Sequence, residues 1–97
     1  MNSALKDKFA ARVRATVKEC QSLGYHPTRF EQMLDRSDAV TIAKQLIVSS
    51  ELQDGLKKLK EMGRIDLSIE SIVLESEFSA LFAPSELQAA DWRLKQL

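Results

Sequence analysis

Cysteine occurs once in the 97 residues, as Cys20, so no internal disulfide can form, and the usage fits a reducing compartment. Three glycines and two prolines are too few for the many tight turns of a sandwich or barrel. No apolar run approaches the roughly 20 residues of a membrane-spanning helix, and the N-terminal residues lack the apolar stretch of a secretory signal. The expectation is a soluble, cytoplasmic protein with no membrane partner. His26 is the only histidine, with no clustered cysteine to complete a metal site and no nucleophile–acid pair recognisable around it. A capping or turn role is expected for it. The spacings C-x-x-C, H-E-x-x-H, G-x-G-x-x-G, the P-loop, the nucleophile elbow and the EF-hand loop are all absent. No helix-turn-helix pattern places base-reading side chains on a recognition helix. These absences lead to the expectation of a non-enzyme: no catalytic residue, no metal, no cofactor and no small-molecule substrate.

What is present is an ordinary globular balance, 44% apolar and 29% charged, which separates the chain from disordered sequences. The length allows a single core, so residues 1–97 read as one domain: a basic amphipathic helix over 1–23 and a helical core over 24–97. Net charge is zero but unevenly placed: residues 1–64 carry twelve Lys/Arg against eight Asp/Glu, and residues 65–97 carry two against six. Such a split is satisfied within one fold, or it steers head-to-tail association or a charged partner.

Apolar residues recur at helical spacing almost throughout. Leu5, Phe9, Val13, Val17, Cys20 and Leu23 make one stripe and predict a helix over about Ala4–Leu23, with Asn2 or Ser3 as N-cap and Gly24 as its stop. A second helix starts at Pro27 or at Thr28, the latter with Glu31 as a capping box, and buries Phe30, Met33 and Leu34. The third opens at Ser37 or Asp38 and buries Val40, Ala43, Leu46 and Ile47, with Ile42 and Val48 widening the face and Ser49-Ser50 ending it. The fourth runs from Glu51 or Asp54 to Met62 on a stripe of Leu52, Leu56, Leu59 and Met62, and stops at Gly63. The last opens with Pro84 in its first turn and carries Ala83, Leu87, Ala90, Leu94 and Leu97 on one face. Trp92 lies off that stripe, either packed on another helix or exposed for a partner.

Between the last two helices lies the stretch that joins a stop, a charged corner and the most apolar run: Gly63-Arg64-Ile65-Asp66-Leu67-Ser68-Ile69-Glu70-Ser71-Ile72-Val73-Leu74. Ser68 caps a helix expected to reach about Ser76, the least amphipathic and therefore the central one. Asp66 and Glu70, four apart, resemble a carboxylate pair, but a corner salt-bridged through Arg64 is the stronger reading. Phe78, Leu81 and Phe82 then form a short core-packing turn. The fold class expected is an all-α single-domain bundle of about five helices plus a short helical turn.

Three clusters occur together: Gly24-Tyr25-x-Pro27-Thr28-Arg29-Phe30 followed by Met33-Leu34; Ala43-Lys44-Gln45-Leu46-Ile47; and Gly55-Leu56-x-x-Leu59 leading through the organising stretch to Glu77-Phe78-x-x-Leu81-Phe82. In that order they resemble a family of short, uncharacterised bacterial helical proteins and appended modules, over residues 24–97. The resemblance implies a small all-helical unit, free-standing or attached to larger and in some cases nuclease-like proteins, with an accessory role beside nucleic-acid-processing or defence machinery. It implies no established activity. Two positions depart from the pattern: Lys60 stands where an aromatic is usual, and Ala83 stands where a Thr or Ser would cap the last helix.

The functional expectation is a non-catalytic interaction or regulatory module that binds a protein partner or another copy of itself. Its candidate contacts are Tyr25, Arg29, Arg64 and Trp92, residue types that dominate interface energies. The alternative is a nucleic-acid-binding accessory using Lys6, Lys8, Arg12, Arg14 and Lys18 of the first helix against phosphate, although no aromatic is interleaved for base stacking.

Overall fold

The computed structural model describes residues 3–48 and 54–96 and, within them, leaves aside the side chains of Arg29, Asp54 and Gly55. Among these residues six α-helices follow one another: α1 Ser3–Ser22, α2 Thr28–Arg36, α3 Ala39–Ile47, α4 Asp54–Glu61, α5 Ile69–Val73 and α6 Pro84–Lys95. Single 3-10 turns at Ile65–Leu67 and Ser79–Leu81 flank α5, and no strand occurs among the described residues. The all-α expectation holds.

Helix ends follow the local chemistry of their sequences. Gly24 and Gly63 adopt left-handed backbone, with φ of 87° and 71°. At the first, the Tyr25 N–H donates to Cys20 O and the Gly24 N–H to Gln21 O; at the second, Arg64 N–H donates to Leu59 O and Gly63 N–H to Lys60 O. Both ends are Schellman motifs, which close otherwise orphaned carbonyls through a residue that only glycine supplies without strain. Asp38 caps α3, accepting from the Thr41 N–H at 3.0 Å and the Thr41 hydroxyl at 2.7 Å. Ser68 caps α5, its Oγ accepting from the Ser71 N–H at 3.1 Å.

The expectations for Asn2, Leu52, Leu97 and the Ser49-Ser50 break lie outside the described residues. Several others are corrected. Ser3 is already helical, and Leu23 falls beyond the helix, where it is exposed. Thr28 and Glu31 form no capping box: the Glu31 N–H donates to Pro27 O, while the Glu31 carboxylate accepts from the Gln21 amide of α1. Val48 does not widen the buried face of α3, because it is the C-cap and is 66% exposed. The central helix stops at Val73 rather than near Ser76, since the Glu75 N–H turns back to Ile72 O and tighter turns follow.

The main core joins Phe9, Val13 and Val17 of α1 to Ala39, Val40, Ile42, Ala43 and Ile47 of α3, Ile69, Ile72 and Val73 of α5, and Ala90 of α6. Phe78 and Phe82 close it, their rings meeting Phe9 edge-on at centroid distances of 5.2 and 5.5 Å. Four of the five residues of α5 are buried, and it packs against α1, α3 and α6, which makes it the central helix as expected. A separate, smaller cluster holds Cys20, Leu59 and Leu67, with Tyr25 and Ile65 partly buried against it. It fills the corner where the two glycine-terminated helix ends of α1 and α4 meet.

Candidate functional site

Ion pairs across the fold meet part of the uneven charge. Arg64 reaches Glu19, Arg12 reaches Glu75 and Lys8 reaches Glu77, at 3.3, 3.0 and 2.9 Å. The partners run in opposite order along the two segments, so residues 64–77 lie antiparallel to α1. Lys44 of α3 approaches Glu86 of α6 at 3.8 Å. The basic surplus of the first two thirds is therefore met, in part, by the acidic surplus of the last third.

The Gly63–Glu70 corner separates the charges that lie together in sequence. Arg64 donates from Nε and an Nη to both oxygens of Asp66, at 3.1 and 3.2 Å, and from its other Nη to Glu19 at 3.3 Å. This fork holds the Asp66 carboxyl below the usual carboxylate range and pushes the Arg64 guanidinium up, through the hydrogen bonds first and Coulomb attraction after them. Glu70 takes no part. It points into the protein, where its Oε2 accepts from Nε of Arg93 at 2.8 Å, with 6% and 2% of the two side chains exposed. Asp66 and Glu70 are thus not a carboxylate pair sharing a face; each is committed to a different arginine. No group of three His, Cys, Asp or Glu side chains able to hold a metal ion occurs among the described residues.

Burial raises the Cys20 thiol above its ordinary value, a shift opposed by the positive charge of Arg64 and assisted by Glu19 and Asp66. His26 is exposed, and its carbonyl accepts from the Thr28 N–H at 2.8 Å, which places it in the turn before α2.

Of the four candidate contact residues, Tyr25 and Arg64 sit at the corner around Cys20, and Trp92 sits on α6. Tyr25 is half-buried against Cys20, Leu59 and Leu67. Arg64 is the clamp of the same corner. The Arg29 side chain lies outside the description, although its backbone is in α2. Trp92 is 58% exposed on α6, so its packing alternative is set aside. Around it on that face lie Gln88 one turn before and Lys95 almost one turn after, with Lys95 held to Asp91 at 2.8 Å.

The basic side chains of α1 spread around the helix rather than along one line. Lys8 and Arg12 occupy the flank facing Glu77 and Glu75, and Arg12 also donates to Thr16. Arg14 and Lys18 lie on the side away from the core, and Lys6 is near enough to Asp38 to lower its carboxyl slightly. Arg93, the most deeply buried charge among the described residues, is a functional-looking residue that periodicity did not flag: it sits three places after Ala90 on the core face, a position where an apolar residue is the default.

Compared with family models, with curated proteins and with solved structures, the chain matches none. No helix among the described residues is long and apolar enough to cross a membrane.

Proposed function

We propose that this domain is a non-catalytic protein-interaction module whose contact surface is the outward face of α6, centred on Trp92. The observation that carries this reading is the 58% exposure of that side chain, while every phenylalanine of the core cluster packs inward. A solvent-facing tryptophan with a polar rim of Gln88, Asp91 and Lys95 has the make-up of an interface anchor: large apolar area, few rotamers, and charges at the edge rather than the centre. The regulatory role beside nucleic-acid-processing or defence machinery, implied by the resemblance of residues 24–97, is one setting for such a module.

The test is pull-down from lysate of the encoding organism together with sedimentation across concentration, for the wild type and Trp92→Ala. The expected result is a partner or a dimer that Trp92→Ala abolishes with little change in melting temperature, since an exposed substitution of this kind shifts stability by only about 0.5 kcal/mol. A wild type that stays monomeric and recovers nothing, or a partner held equally well by the variant, overturns the reading.

The nucleic-acid alternative draws support from Arg14 and Lys18, exposed about one turn apart on the solvent side of α1. It draws less from Lys8 and Arg12, whose charges are engaged by Glu77 and Glu75. Phosphate-driven binding weakens steeply with salt. An electrophoretic shift at low salt that disappears in the Lys6→Gln, Arg14→Gln, Lys18→Gln variant favours it; no shift at low salt removes it.

A further inference from the structure

Resting on the interaction-module reading, we propose that the partner of the Trp92 face is a second copy of this chain. The two α6 helices dock antiparallel, about a two-fold axis level with Trp92. α6 packs on α5 and α3, and Ala90 lies fully buried on that side. On the opposite side Gln88, Trp92, Lys95 and Gln96 are all exposed. At 3.6 residues per turn these four fall within about 100° of arc, so they share one face. Gln88 precedes Trp92 by four residues and Gln96 follows it by four. A two-fold operation at Trp92 therefore sets the Gln88 end of one face against the Gln96 end of the other. Such self-complementarity is what an interface between identical copies requires.

Charge decides the direction. Asp91 and Lys95 lie on one flank of this face, with the Lys95 ammonium on the Asp91 carboxylate at 2.8 Å. In an antiparallel pair each flank meets the same flank of the other copy, reversed end for end. The second copy's Lys95 then stands nearly level with Gln88 and within about 3 Å, two residues of rise, of the height of Asp91. Each ammonium so gains a carboxylate from the other chain. A parallel pair would instead set lysine against lysine and aspartate against aspartate at equal height. Antiparallel packing also opposes the two helix dipoles, and a net charge of zero adds no overall repulsion. At the axis the two Trp92 rings meet and remove their exposed apolar surface from water. One helix face is smaller than a standard interface, so the dimer is a weak one.

Trp92 is the only tryptophan, so the unaltered chain reports its own association. Sedimentation equilibrium and tryptophan emission are followed together across concentration. The mass is expected to rise toward that of a dimer as the emission shifts to the blue. Trp92→Ala weakens association by about tenfold or more. Lys95→Glu gathers carboxylates on one flank and weakens it several-fold, and adding Asp91→Lys to that variant restores it. Gln88→Cys mixed with Gln96→Cys, each in a Cys20→Ala background, gives mixed rather than like-with-like products with a short bis-maleimide. A wild type that stays monomeric at every concentration overturns the proposal. If a lysate partner is then still lost with Trp92→Ala, the interaction-module reading survives. A dimer that Trp92→Ala leaves intact overturns both. Failure of the charge exchange to restore association, or a majority of like-with-like crosslinks, overturns the antiparallel docking. The measurements on the unaltered chain decide the matter even if a variant fails to fold.

Discussion

Arg93 of α6 donates its Nε–H to Glu70 of α5 at 2.8 Å in a site from which water is almost wholly excluded. Each charge is costly to bury alone, and each is what makes the other tolerable. Arg93→Met or Glu70→Leu therefore strands one unpaired charge beside α5, and each is expected to lose about 3–5 kcal/mol. The double variant Glu70→Leu with Arg93→Met removes both charges and is expected to lose far less than the sum of the two. Urea denaturation of the four proteins measures the coupling; additive losses would mean the pair is not energetically joined.

Asp38 ties the start of α3 to Thr41, and the Thr41 hydroxyl, then its N–H, hold the Asp38 carboxyl below its ordinary range. A carboxyl lowered in the folded state contributes stability that is present above its unfolded pKa and lost as the pH falls through the folded value. Asp38→Ala is expected to cost about 1 kcal/mol at neutral pH. The deficit should shrink once the solution is acidic enough to protonate the wild-type carboxyl. Paired melts at the two pH values check it, and a constant deficit would show that the cap does not depend on the carboxylate charge.

Ala83 occupies the N-cap position of α6 with extended backbone, φ −72° and ψ 155°. Half of a capping box is present there: Oε1 of Glu86 accepts from the Ala83 N–H at 2.7 Å, while alanine has no oxygen to answer the Glu86 N–H. Ala83→Ser supplies that oxygen and is expected to raise stability by about 0.5–1 kcal/mol, read as a higher melting temperature. No gain would mean that the 2.9 Å bond from the Glu86 N–H to Ala83 O already satisfies the donor.

Gly63 and Gly24 have open space where a Cβ would stand, so substitution there tests backbone conformation without steric conflict. Gly63→Ala and Gly24→Ala are each expected to cost about 1–2 kcal/mol from the left-handed φ alone. The two should differ in location. Gly63→Ala should raise amide exchange in α4, whereas Gly24→Ala should act at the end of α1; equal exchange profiles would contradict that separation.

Helix identity was readable because the stripes are regular and the boundaries are marked: Gly24 and Gly63 stop helices while Asp38, Ser68 and Pro84 start them, as their side chains or their missing Cβ dictate. Ends were harder. Leu23 and Val48 continue an apolar spacing yet lie beyond the last helical residue, because periodicity counts residues and does not see where the hydrogen bonds close. The corner was half legible. Arg64 with Asp66 is a local pair, visible at a separation of two, but Glu19 is forty-five residues away and Glu70 pairs twenty-three residues onward. Arg93 was missed for a related reason: a charge is assigned to solvent by default, and only its distant carboxylate makes the buried position tolerable. For Trp92, packing on another helix was the favoured reading and exposure won, since being off the stripe of α6 says nothing about whether a neighbouring helix covers it.

The edge-on meeting of Phe9 with Phe78 and Phe82 also has a temporal side. During synthesis α1 emerges first, and its apolar stripe must wait some seventy residues for the rings that close over it. Arg12 and Lys8 wait as long for Glu75 and Glu77. Nascent chains short of Phe82 thus have α3 to pack on α1 but lack the two rings that complete its cover. The order of translation sets how long that face stays incompletely covered.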